Sequence, residues 1–266
     1  MKLLLIDCSY ELCLGIYEGD FKEQGHIIGS FLQTRNNGHK MENIVHDLKG
    51  LLSSTQTNIK DIKCLGIITG PGYFSGIRTS LTLAKILRLA LGIEAWGLNA
   101  LQVIGLQYFE LEDKKANFTD YIPLDKGREK EKQQALLVTY DIGKEGAVIA
   151  LFNPKFQYVL TETYLPKENL LGFLAQYEHL NLIIIGNKSS IFKEATDFLP
   201  NKKNNIYYAP EIPQVTLKGM YNFIKYIKQL SKEQLMINNQ VRQLIGITQV
   251  LAPLYVREPY TIKADA

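Results

Sequence analysis

Short apolar runs and polar breaks alternate along the first hundred residues. Leu3 to Cys8 is an apolar run interrupted by Asp7 near its end, and Leu12 to Tyr17 is a second run. Glu18-Gly19-Asp20 is a turn signal, and a weaker run follows from Gly25 to Leu32. These segments predict a meander of three antiparallel strands. After Asn36-Asn37-Gly38, the residues Met41, Ile44, Val45, Leu48, Leu51 and Leu52 fall on one face of a helix predicted over 39–53. Lys63 to Thr69 is rich in β-branched residues and suits a buried parallel strand. The tight loop Gly70-Pro71-Gly72-Tyr73-Phe74-Ser75-Gly76 separates it from helices predicted over 77–91 and 99–109.

From residue 112 to 134 the pattern lapses. Twelve of these 23 residues are charged, so a solvated connector is expected. The order then restarts: strands over 135–142, 147–152 and 157–164, a helix over 167–177, a strand over 182–185, and helices over 191–199 and 217–230. Leu251 to Arg257 reads as a short extended segment against the body. The order βββαβα thus occurs twice, with no repeat visible residue by residue. Each half predicts a mixed α/β sheet. The expected organisation is a half over 1–111, a connector over 112–134 and a second half over 135–266.

Composition narrows the function classes. At 266 residues with 46% apolar content, the chain is long enough to build its own core. Thirty basic and 27 acidic residues leave a net charge of +3, too little to argue for nucleic-acid binding. Cys8, Cys13 and Cys64 form no metal-ligand spacing, and their odd number argues for a reducing compartment. No run reaches the ~18 apolar residues of a membrane span, so a cytoplasmic protein is expected.

Chemistry could reside in two places. Glycines at 70, 72 and 76 between a strand and a helix permit close backbone approach, so the loop is either an anion site or a structural turn. Its spacing matches neither the dinucleotide fingerprint nor the Walker loop. Asp7 and Asp141 close corresponding strands of the two halves. They could hold a hydrated magnesium ion beside nucleotide phosphates, or each could cap its own turn. The turn after Asp7 lacks glycine, and Tyr10 would obstruct a phosphate there. His39 and His46 lie seven apart rather than at the i, i+4 metal spacing and read as surface histidines. Ser75 does not sit in a nucleophile elbow, and Cys64 reads as core. The helix over 77–91 is apolar nearly all round, its charge confined to Arg78, Lys85 and Arg88. Such a helix needs cover on more than one side, from the helix over 39–53, from a partner, or from both. Lys218, Lys225, Lys228 and Lys232 give the last helix a basic face.

Several of these segments resemble the TsaB family, the non-catalytic partner in bacterial tRNA threonylcarbamoyladenosine synthesis. Leu4-Leu5-Ile6-Asp7-Cys8-Ser9 is similar to its opening strand, and His39-Lys40-Met41-Glu42-Asn43 to its first helix start. Gly70-Pro71-Gly72-Tyr73-Phe74-Ser75-Gly76-Ile77-Arg78 resembles its Gly-Pro-Gly-Ser-Phe-Thr-Gly-Leu-Arg loop, and Pro253-Leu254-Tyr255-Val256-Arg257 its ending. The family's Asp-Ala-Arg of the second half is here Asp141-Ile142-Gly143, so only the aspartate matches. The resemblance implies two RNase H-like βββαβα halves of the actin/Hsp70/sugar-kinase superfamily. It implies a scaffold that docks the catalytic transferase paralogue (TsaD-type) and an ATPase subunit (TsaE-type). Contact residues are expected at His39, Met41, Glu42 and Val45 of the first helix. From the second helix, Ser75, Arg78, Leu81, Thr82, Lys85 and Arg88 are expected. ATP and metal would be held by the partner subunits, tRNA would be met through the complex, and two copies could pair when the chain is alone. The alternative is an active ATP-dependent kinase or ATPase of the same superfamily, using Asp7, Asp141 and the loop with Gly70, Gly72 and Gly76.

Overall fold

A computed structural model describes residues 1–19, 21, 25–34, 43–113, 133–197, 205–209 and 214–229. The predicted residues His39, Met41, Glu42 and Lys232, most of the connector and the segment 251–257 lie outside the described residues. The chain divides into two compact units: Met1–Ala100 with the chain from Ile224, and Leu101–Phe223. The third helix beyond Ala100 therefore groups with the second unit, and the end of the last helix with the first.

In the first unit, β1 (Lys2–Asp7), β2 (Leu12–Glu18) and β3 (His26–Gln33) precede α1 (Ile44–Ser54). β4 (Ile62–Gly70), α2 (Phe74–Leu91) and β5 (Glu94–Asn99) follow, leading into α3 (Ala100–Asp113). The sheet order is β3-β2-β1-β4-β5. β1 pairs antiparallel with β2 and parallel with β4, and β4 pairs parallel with β5. Leu3, Leu4, Leu5 and Ile6 are all at most 1% exposed, which is why β1 reads as an unbroken apolar run: a central strand is covered on both faces. Full burial of each such leucine contributes roughly 1.5–3 kcal/mol. The edge strand β3 is only partly covered, and its pattern is correspondingly mixed. Leu4, Ile6, Leu14, Ile16 and Leu65 form a core with Leu48 and Leu51 of α1 and Ile77, Leu81 and Ala84 of α2.

The second unit repeats this plan. β6 (Gln134–Tyr140), β7 (Ala147–Phe152) and β8 (Tyr158–Leu165) precede α4 (Leu170–Gln176), β9 (Asn181–Gly186), α5 (Ser189–Asp197), β10 (Ile206–Tyr208) and α6 (Leu217–Gln229). Its sheet order, β10-β9-β6-β7-β8, places first, second, third, fourth and fifth strands as in the first unit. Each unit is thus a mixed five-stranded sheet with helices, the predicted α/β class. Within this unit, α3 caps the start of α6. Gln107 Oε1 accepts from both the backbone N–H and the hydroxyl of Thr216 at 2.9 Å, satisfying donors that a helix start leaves open.

Three differences from the sequence reading have physical causes. The order is longer by one strand per unit, β5 and β10. β5 is diluted by Glu94, Gly97 and Asn99, and β10 has only three residues, so neither shows a clear period. α2 starts at Phe74, three residues early. Tyr73 is extended (φ −68°, ψ 127°) and forms the boundary, so Ser75 and Gly76 are helical despite poor propensity. Finally, the two units share local features at equivalent places. Asp7 Oδ1 accepts from Ser9 N–H at 2.8 Å, and Asp141 Oδ1 from Gly143 N–H at 2.7 Å, the same turn after the first strand of each unit. β4 and β9 both end on a positive-φ glycine, Gly70 (φ 136°) and Gly186 (φ 103°).

Candidate functional site

The glycine loop connects β4 to α2 and lies against the turn after β1. A Cβ on Gly72 would stand 2.5 Å from Ser9 O, and one on Gly76 only 1.9 Å from Cys8 O. Tyr73 N–H donates to Ser9 O at 2.7 Å, and the Tyr10 and Tyr73 rings lie 5.7 Å apart. The close approach that these glycines permit is therefore to the chain's own Cys8–Ser9 backbone. Of the two readings of the loop, its geometry favours the structural turn.

Asp7 is 6% exposed, and Ser9 donates to its Oδ1 through both the N–H (2.8 Å) and the hydroxyl (2.6 Å). Its carboxyl is raised from 3.8 to about 6: burial is the largest cause, the Ser9 hydrogen bonds offset part of it, and Glu11 adds a smaller upward push. The folded state thus holds this proton more tightly than the unfolded chain. The stability contribution is complete below pH ~4 and is lost as pH rises through 6, about 3 kcal/mol in all. Asp7→Asn cannot ionise. Its stability relative to the parent is expected to climb by about 3 kcal/mol between pH 4 and 7 in urea titrations. A difference that stays flat with pH would refute the assignment.

Asp141 belongs to the second unit. Its backbone N–H donates to Asn187 Oδ1 at 2.8 Å, and Lys188 Nζ lies 3.4 Å from its Oδ1. The turn and the ion pair give the carboxylate a structural role within that unit. Among the described residues, no group of three His, Cys, Asp or Glu side chains is placed to hold a metal ion. Burial pushes the Cys13 and Cys64 thiols up to about 12, and Cys8 is raised as well, so all three stay protonated at neutral pH. Cys64 is core at 1% exposure, and His46 is exposed, both as expected.

The other feature is a groove of about 510 Å³ between α1 and α2. Ile44 and Val45 line it from α1. Phe74, Ser75, Arg78, Thr79, Thr82, Leu83 and Ile86 line it from α2. Phe74, Arg78, Thr82 and Ile86 recur at four-residue spacing and so form one stripe. The Thr79 and Thr82 hydroxyls donate back to Ser75 O and Arg78 O, satisfying these groups within the helix. The Arg78 guanidinium lies 5.1 Å over the Phe74 ring. Val45 (50%), Phe74 (41%), Ile86 (57%) and Leu89 (83%) are large apolar side chains left open, so α2 has an outer face that the described chain does not cover.

Of the residues expected to contact a partner, Val45, Ser75, Arg78 and Thr82 line this groove, and Lys85 is exposed beside it. Arg88 is half-buried in the last turn. Leu81 is a correction: at 4% exposure it packs into the unit's own core and does not face the groove. It lies five residues from Ile86, roughly 140° around the helix, so the two occupy different faces; periodicity separates the faces but does not say which one the sheet covers. Sequence reasoning passed over Phe74 and Ile86 as contacts, although their spacing along one stripe carries the signal.

The model of a family described as TsaD: tRNA N6-adenosine threonylcarbamoyltransferase matches residues 36–260. The chain belongs to that family. Within it the chain is TsaB-like. It is 27% identical over 114 residues to the tRNA threonylcarbamoyladenosine biosynthesis protein TsaB of Buchnera aphidicola subsp. Schizaphis graminum (strain Sg). That match covers 42% of this chain and 51% of the relative, so it spans about half the length of the curated protein. YeaZ from Pseudomonas aeruginosa superposes with a TM-score of 0.55 at 12% identity, covering 96% of this chain and 99% of that one. A second structure, of an uncharacterized protein with similarity to peptidase YEAZ from Pseudomonas aeruginosa, gives a TM-score of 0.56 with the same identity and coverage. At that identity the likeness is one of fold: the TsaB-like chain shares their two-half α/β architecture.

Proposed function

We propose that this chain is a non-catalytic subunit of tRNA N6-threonylcarbamoyladenosine synthesis that docks the catalytic transferase paralogue through the α1/α2 groove. The observation that carries the reading is the pair of exposed apolar side chains Phe74 and Ile86 on α2, facing Val45 across the groove. Val45, Phe74 and Ile86, apolar side chains at 40–60% exposure lining one groove, are what a protein partner covers. Among the described residues, Arg78 of the lining is exposed, as are Lys85 of α2 and Lys49 of α1, while the acid of α1, Asp47, is buried. A partner helix with apolar anchors and flanking carboxylates fits such a surface. An ATPase subunit joins near the same junction, ATP and metal reside on the partners, and tRNA is met by the assembly. The filled glycine loop supports assigning the chain no phosphate site of its own.

Size-exclusion chromatography of the chain mixed with the catalytic paralogue tests the reading. Co-elution as a one-to-one complex is expected, and separate elution at micromolar concentrations contradicts it. Calorimetric titration of the isolated chain with Mg-ATP is expected to give no binding heat. Micromolar binding with turnover that Asp7→Asn abolishes would install a nucleotide enzyme instead.

A further inference from the structure

The buried carboxylate of Asp7 has no task in a docking subunit, yet it is expensive to bury unless its oxygens are needed. What needs them is Ser9. This residue is fully buried, and both its N–H and its hydroxyl donate to Asp7 Oδ1. Held that way, Ser9 turns its carbonyl towards Tyr73, which donates its N–H at 2.7 Å. Tyr73 is the residue immediately before α2. The next contacts are steric: Gly72 sits over Ser9 and Gly76 over the Cys8 carbonyl, with no room for a methyl group. The chain from carboxylate to helix is therefore continuous: Asp7, Ser9, Tyr73, then Phe74 and Arg78 in the first turns of α2, which line the groove.

We propose that Asp7 is a positioning residue: acting through the Ser9 turn, it holds the first turn of α2 and so presets the docking face. The inference rests on the docking reading only for its functional consequence. A turn that elsewhere could cradle a ligand is here closed on itself and serves as a strut beneath the interface helix. Preset geometry matters because ordering a helix end during association subtracts from affinity. Removing the acceptor would take away the two Ser9 hydrogen bonds to Asp7 that shape the turn, and the turn would be expected to open.

Hydrogen exchange of the full chain measures the strut without any partner. In Asp7→Ala, the amides of Tyr73 to Arg78 are expected to exchange about ten-fold faster, while those of β9 in the second unit keep their rates. Asp7→Asn retains an acceptor oxygen and should restore the parent pattern at pH 7. Ser9→Ala, a milder change that serves if Asp7→Ala does not fold, should give the same local pattern at smaller amplitude. Unchanged exchange in the first turn of α2, or acceleration spread evenly across both units, would overturn the proposal. Titration against the catalytic paralogue then reads the consequence: affinity about ten-fold lower for Asp7→Ala and parent-like for Asp7→Asn. If the parent binds and Asp7→Ala binds equally well, the positioning role is wrong. If the parent itself does not bind, the docking reading fails, and the exchange data still judge the strut.

Discussion

Gly76→Ala is expected to destabilise the first unit by ~4 kcal/mol or more, among the largest effects of any single methyl added to this chain. The new Cβ would lie 1.9 Å from Cys8 O, a backbone atom that no rotamer can move aside. Either the first turn of α2 lifts from β1 or the Cys8–Ser9 turn shifts, and both break the Tyr73 to Ser9 hydrogen bond. A fall in melting temperature of roughly 8–16 °C follows from that free energy at this chain length. Gly50→Ala is the internal comparison. It lies inside α1 with nothing within 4 Å of its Cβ position, so the same change there should stabilise by about 0.5–1 kcal/mol. Opposite signs for one chemical substitution separate propensity from space. The result also bears on function, since a loop left open for a phosphate would accept the methyl at little cost. Parent-like stability of Gly76→Ala would remove the ground for calling the loop closed.

Ile86→Asp is expected to weaken capture of the catalytic paralogue at least about 100-fold while changing stability by less than ~0.5 kcal/mol. Ile86 is 57% exposed, so the free chain loses little packing when it is replaced. In a complex it would lie on the stripe that runs from Phe74, and a carboxylate there would be desolvated without a partner. Two substitutions bracket the claim. Leu171→Asp, at 44% exposure on α4 of the second unit, should leave binding untouched. Leu81→Asp would lose binding only by unfolding the first unit, because Leu81 is core. Parallel thermal melts and affinity measurements tell these cases apart. Equal affinities for Ile86→Asp and the parent would show that the partner docks elsewhere.

Central strands were legible because double-sided burial imposes continuous apolar runs, as in Leu3 to Ile6 and Leu182 to Ile185. Amphipathic helices were legible from a second period, as in α1. β5 and β10 were not, because an edge strand held by few side chains leaves little compositional trace. The contact residues were legible in part. Arg78 and Thr82 stand out as polar positions on an apolar helix, but Leu81 and Ile86 are equally apolar in the sequence.

The amino-acid order alone determined the doubled plan, the class of fold and the need for small residues at 72 and 76. Each of these is a constraint on residue type, and such constraints repeat at fixed spacing along the chain. Tertiary structure decided what those constraints are for. The room made by the glycines is taken by Cys8 and Ser9, and the face of α2 that the described residues leave exposed is the one through Phe74 and Ile86. Both outcomes depend on which segment lies opposite in space, and a one-dimensional pattern carries no record of its neighbour.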